Sequence, residues 1–152
     1  IRDFIVYVNE ASDAEYLGHE VRKALYMLDV TAWDNPINVA TFRVPDGDFL
    51  QRGGRFGPHQ FAETRDGKLY SLKDNKNLLY VAYFSAGLRI LDLSDPYNMQ
   101  EVGHYIPQTT ATTVPRLKTV IQTNDVDIDY RGLAYVTDRA GTGLHVIEYL
   151  GQ

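Results

Sequence analysis

One short pattern returns three times along this chain, and it limits the fold more than any other feature. It reads Ala24-Leu25-Tyr26-Met27-Leu28-Asp29, then Gly87-Leu88-Arg89-Ile90-Leu91-Asp92, then Gly143-Leu144-His145-Val146-Ile147-Glu148. Each copy is a small residue, a leucine, a variable residue, two apolar residues and an acid. The leucines stand 63 and then 56 positions apart. Each copy follows a run of β-branched and aromatic residues, Phe4–Val8, Leu78–Phe84 and Leu133–Thr137. Such runs suit a pleated, half-buried surface. After the first two copies come an Asn-Pro or Asp-Pro turn (Asn35-Pro36, Asp95-Pro96) and one more strand. That strand stops at Val44-Pro45 or Ile106-Pro107, where proline removes a backbone donor and fixes φ.

The unit is therefore four strands joined by turns. The innermost is His59–Glu63 or Asp125–Asp129. The second is Leu78–Phe84 or its equivalents, the third is the repeated pattern, and the outermost is Asn38–Val44 or Glu101–Ile106. Strand units recurring at this spacing predict an all-β fold, a β-propeller of four-stranded antiparallel blades. A single β-sandwich with chance similarity is the alternative. On the propeller reading residues 1–45 are part of a blade without its inner strand. Residues 59–107 are a full blade, and residues 124–150 are a final blade without its outer strand. Closed propellers use about 4–8 blades, so about three blades make an incomplete ring. The 152 residues are expected to be the C-terminal part of one propeller domain, with Ile1 entering partway through a blade and the remaining blades lying upstream.

Two segments read as loops, the glycine-rich stretch Asp46–Pro58 and Gln108–Lys118. Helix formers gather between Ala14 and Leu28, but Gly18 interrupts them and no apolar stripe of helical period appears. A helical turn near Ala14–His19 is the most that segment supports.

Composition excludes several functions. There are 15 Lys and Arg against 20 Asp and Glu, a net charge of −5. Duplex nucleic-acid binding calls for a basic stripe, so no nucleic-acid partner is expected. No window reaches the roughly 18–20 apolar residues of a membrane span. Cysteine is absent, so disulfides, thiolate metal sites and cysteine nucleophiles are excluded, and any metal would rest on His and carboxylates. The G-x-S-x-G, H-E-x-x-H and P-loop patterns are missing. Gly53-Gly54-Arg55-Phe56-Gly57 precedes no expected helix, so it is not read as phosphate-binding.

The segments "GPHQFAE", "LLYVAYFSAGLRILDLSDPYNMQEVGHYIP" and "QTNDVDIDYRGLAYVTDRAGTGLHVIEYLG" together resemble the C-terminal part of bacterial LVIVD-repeat propeller proteins. The resemblance covers residues 53–151 well and residues 1–45 more loosely. It implies a periplasmic or secreted protein. The repeat is also distantly similar to the selenium-binding protein and methanethiol oxidase group, where propeller histidines and carboxylates hold a metal. That second link is an analogy of fold, and a fold does not imply a function.

The candidate site residues follow from blade position. Inner strands begin at the mouth of a propeller's central channel. His59 and Glu63 sit there, as a metal or acid–base pair or as a hydrogen bond pinning adjacent blades. In one straight strand they lie about 13 Å apart, so both reach one ion only if the strand bends. Asn124 and Asp125 hold the same place in the final blade. Asp125, Asp127 and Asp129 look like a calcium loop, but Tyr130 and Val136 stand where an EF-hand needs Gly and Glu. Glu10 follows the first strand in an acidic loop with Asp13 and Glu15 nearby, and His19 lies in the same insertion. Asp29, Asp92 and Glu148 share one repeat register, which predicts a structural task, accepting hydrogen bonds from the following turn. His104 and His145 are expected on outer strands as surface or packing residues. Arg89 and Arg139, beside turns, are expected in salt bridges or on an anion.

The expected function is an exported binding or scaffold module. The alternative is a metal-dependent enzyme, oxidase or hydrolase-like, with a divalent transition metal at the channel mouth on His59 and Asp125.

Overall fold

The computed structural model of this chain describes residues 2–10, 23–45, 47–62, 77–113 and 119–151. Ten strands and one helical turn occupy them. The first group is β1 (Phe4–Val8), β2 (Leu25–Asp29) and β3 (Ile37–Phe42), an antiparallel sheet in the order β1-β2-β3. The second is β4 (Phe56–Phe61), β5 (Leu78–Phe84), β6 (Leu88–Asp92) and β7 (Gln100–Tyr105), each antiparallel to the next. The third is β8 (Thr123–Ile128), β9 (Leu133–Asp138) and β10 (Leu144–Glu148), again antiparallel. The second and third groups join through the Phe84–Thr123 pair. These are three blades of an incomplete β-propeller. The middle one has four strands; among the described residues the first lacks an inner strand and the last an outer one.

The blades stack through alternating faces. In β5, Leu79, Val81 and Tyr83 enter one core with Leu25 and Met27 of β2 and the half-buried Phe4, Val6 and Val8 of β1. Tyr80 and Ala82 point the other way, into a second core with Leu88, Ile90, Val126, Ile128, Ala134 and Val136. Period-two alternation makes this possible. Both faces of the middle blade are filled, and each fully buried Leu or Val there contributes about 1.5–3 kcal/mol.

The repeated acids close turns, as their register predicts. Asp29 Oδ1 accepts from the Thr31 N–H at 3.0 Å and Asp92 Oδ1 from the Ser94 N–H at 2.8 Å. Hydrogen bonds from Thr31 and from Ser94 hold the two carboxyls below the usual carboxylate range. Asp29 also pairs with Arg2. Glu148 makes no such bond among the described residues.

The inner strand of the middle blade begins at Phe56, not at His59. Gly57 and Pro58 read as breakers but lie inside β4. The ladder to β5 is irregular between Phe56 and Gln60, and proline is tolerated where a strand carries no ladder bond. A helical turn, α1 (Phe49–Arg52), interrupts the expected Asp46–Pro58 loop. Of the stretch with helix formers, Leu25–Leu28 is strand β2 and residues 11–22 lie outside the described residues. Residues 108–113 carry neither helix nor strand, as expected. No helix among the described residues is long and apolar enough to cross a membrane.

Candidate functional site

Three blades deliver polar side chains to one place, the inner ends of β1, β4 and β8. Glu10 follows β1. Arg55 immediately precedes β4 and His59 is on it. Gln122 immediately precedes β8. Arg55 Nη1 donates to Glu10 Oε1 at 2.7 Å, and Glu10 Oε2 lies 3.5 Å from His59 Nδ1. The His59 ring stacks on Phe84 with centroids 4.8 Å apart and planes 14° from parallel. The Arg55 guanidinium lies over the same ring at 5.4 Å. The buried Phe84 ring thus packs against both the His59 imidazole and the Arg55 guanidinium.

Gln122 ties the last blade to this cluster. Its Oε1 accepts from the Arg55 N–H at 2.8 Å, and its Nε2 donates to the Arg55 carbonyl at 3.2 Å. The side chain therefore pairs with Arg55 as a neighbouring strand would. Its own N–H donates to Asp138 Oδ2 at 2.6 Å. Gly54 makes room for this contact. With φ at +70°, a Cβ there would meet Gln122 Nε2 and Val120 at 2.7 Å.

Backbone strain sits at the same point. Phe84 has φ of +40°, a region that bulky residues rarely occupy and that costs of order 1–3 kcal/mol. The Ser85 N–H donates to the Arg55 carbonyl at 3.1 Å. Four buried side-chain atoms, His59 Nδ1, Ser85 Oγ, Thr123 Oγ1 and Arg89 Nη2, make no hydrogen bond among the described residues. Such atoms are rare in folded proteins.

The expected residues divide as follows. His59 and Glu10 come together. Asn124 is the counterpart of His59: Gln60 and Asp125 stand opposite Ala82 and Thr137, which themselves stand opposite Leu88 and Leu144 of the repeat. Both residues sit where the inner-strand ladder is irregular, and such bulges re-aim side chains. Asp125 goes elsewhere. Val126 and Ile128 face the core shared with the middle blade, so alternation turns Asp125 and Asp127 to the opposite face. No hydrogen bond or ion pair joins Asp125 to His59 among the described residues; Asp125 Oδ1 accepts from the Val126 N–H at 2.8 Å. Glu63, His19, Asp13 and Glu15 lie outside the described residues.

The other candidates have structural partners. Asp129 caps its turn: burial opposes its charge, but bonds from Arg131, Leu133 and Tyr135 outweigh that and lower its pKa to about 2. Arg89, almost wholly buried, donates to Glu101 at 3.0 Å and to the Ala86 carbonyl at 3.0 Å. His104 Nδ1 lies 3.2 Å from Glu101. His145 links two blades, with Nδ1 3.2 Å from the Tyr105 hydroxyl and Nε2 3.0 Å from that of Thr142. Arg139 is exposed.

Among the described residues, these donors do not assemble the metal site that the fold analogy implies. No group of three His, Asp or Glu side chains converges among the described residues. Among the described residues, the carboxylate beside His59 is that of Glu10, which already pairs with the Arg55 guanidinium.

The arrangement of blades places the chain among repeat β-propellers. Within it, residues 68–106 match the LVIVD repeat family; these include β5, β6 and β7. No curated protein and no solved structure matches the chain.

Arg55 and Gln122 are the site residues that sequence reasoning missed. Arg55 lies in the glycine-rich stretch set aside as not phosphate-binding. Its signal was position, an arginine between glycines directly before an inner strand. Gln122 had no signal, because its task is a contact 67 residues away.

Proposed function

We propose that this chain is a binding and scaffold module of a larger, exported β-propeller, completed by remaining N-terminal blades or by partner subunits. The observation that carries the reading is the contrast in burial along the stack. The middle blade has no free face, whereas the first exposes Ile5, Tyr7 and Ile37 and the last exposes Leu144 and Val146. Apolar faces of this kind are sites for association, and here the natural occupant is another blade. The axial cluster of Glu10, Arg55, His59 and Gln122 is the polar end that a ligand would meet. Export rests on the resemblance to LVIVD-repeat proteins.

The test is a mass measurement of the 152-residue chain in solution, with metal analysis of the same sample. Association that grows with concentration, without stoichiometric copper, zinc or iron, supports the scaffold reading. A stable, soluble monomer would count against it. Stoichiometric metal that is lost in His59→Ala would replace it with the metal-dependent enzyme.

A further inference from the structure

Glu10 is a tethered carboxylate in a place that a free one would fill better. Pairing of β1 with β2 runs one residue past Val8, where the Asn9 N–H donates to the Ala24 carbonyl at 3.1 Å. Glu10 comes next, so the first blade holds its backbone. From there its carboxylate meets Arg55 Nη1 at 2.7 Å but stops 3.5 Å from His59 Nδ1. That nitrogen is buried and makes no hydrogen bond among the described residues. Burying a polar atom without a partner costs free energy, and the tether leaves that cost in place. The Arg55 fork is half used as well. Among the described residues, Nη1 alone of its guanidinium nitrogens has an acceptor, whereas a guanidinium can grip a carboxylate through two parallel bonds.

The donor half of the site is built without Glu10. Gln122 holds both the N–H and the carbonyl of Arg55. The Arg55 guanidinium and the His59 ring both lie against Phe84. Phe84 is fully buried and kept at a φ of +40°. Strain of this kind persists only where the surroundings over-determine it, and it gathers at ligand sites. Glu10 is the loosest member, with its side chain 42% exposed against 21% for Arg55 and 20% for His59.

We infer that the axial cluster binds a small carboxylate, and that Glu10 is an internal stand-in which the ligand displaces. The two ligand oxygens accept from the Arg55 fork, and one of them also accepts from His59 Nδ1. The imidazole donates there as the Nδ1–H tautomer or as imidazolium. A carboxylate is the matching class because the acceptor already seated on the fork is one. The inference rests on the binding role proposed for this end of the stack.

The test is a titration of sodium acetate into the full chain, freed of metal by chelation, with the His59 ring resonances followed by NMR. Glu10→Ala removes the internal competitor, whose effective concentration at Arg55 is of millimolar order or more. Acetate should bind that variant about tenfold more tightly than the parent, or better. Arg55→Lys added to Glu10→Ala keeps the charge but loses the fork, and should give back about tenfold. Acetamide, of the same shape without the charge, should leave His59 unmoved. The inference is overturned if acetate does not shift His59 in Glu10→Ala, or if the parent binds it equally well. It is also overturned if acetamide matches acetate, or if inorganic phosphate binds more tightly than acetate. Failure of the scaffold reading looks different: a chain that stays monomeric in the mass measurement can still bind acetate, and an associating chain can fail to.

Discussion

The middle and last blades carry the same repeat in two different settings. Leu88 is 0% exposed and Leu144 is 61% exposed, although both are the leucine of one pattern. The strands that precede the repeat differ in the same way. In β5 every residue after Leu78 is buried, whereas in β1 burial alternates. Phe-Ile-Val-Tyr-Val and Leu-Leu-Tyr-Val-Ala-Tyr-Phe are equally apolar runs. The difference lies in the neighbours: among the described residues β5 has a blade on each side and β1 has one. A propeller strand does not encode how buried it is; the number of adjacent blades does.

Substitution at that leucine is the strongest way to break the comparison. Leu88→Ala opens a cavity between two blades and should cost about 2–5 kcal/mol. Leu144→Ala should stay within about 0.5 kcal/mol. Urea unfolding of the two variants checks this, and equal losses would mean that the open face of the last blade is covered in solution. Glu101→Ala probes the same middle blade through its charge. It leaves Arg89 buried without its carboxylate, and breaking such a pair costs about 3 kcal/mol. Because Glu101 is partly exposed, water takes up part of the charge, and a loss nearer 2 kcal/mol is expected from the same unfolding measurement. Recovery in Arg89→Met/Glu101→Ala would show that the stranded charge, not lost packing, was the cause.

The smallest effect belongs to the turns, which the blades share irrespective of burial. Asp29, Asp92 and Asp129 have lowered pKa values in the folded chain, Asp129 at about 2. A depressed folded pKa contributes stability that is present above the unfolded value and lost as pH falls through the folded one. Stability should therefore decline from the ordinary carboxylate value of 3.8 towards about pH 2. Asp129→Asn should flatten that decline in acid unfolding curves. A variant curve parallel to the parent's would show that the Arg131 and Tyr135 contacts do not persist in solution.

Strand positions were legible because they rest on local alternation of β-branched and aromatic residues. The turn role of Asp29 and Asp92 was legible because repetition at every blade marks a structural task. The start of β4 was not, because Gly57 and Pro58 break a regular strand but fit an irregular one. At the site, His59 and Glu10 could be named from their positions at strand ends, yet nothing local showed that they meet. Their partner Arg55 was hidden in a segment whose glycines pointed to a loop. Asn124 and Asp125 are adjacent in sequence, and the register shift between Thr123 and Asp125 makes Asn124, not Asp125, the counterpart of His59.

The sequence by itself determined that this chain makes stacked four-stranded units, since a period-two pattern and a recurring turn need only local backbone preference. The tertiary structure decided which faces are closed and which polar groups meet at the ends of β1, β4 and β8. Each of those depends on residues from different blades, and the distance between them along the chain carries no local signal.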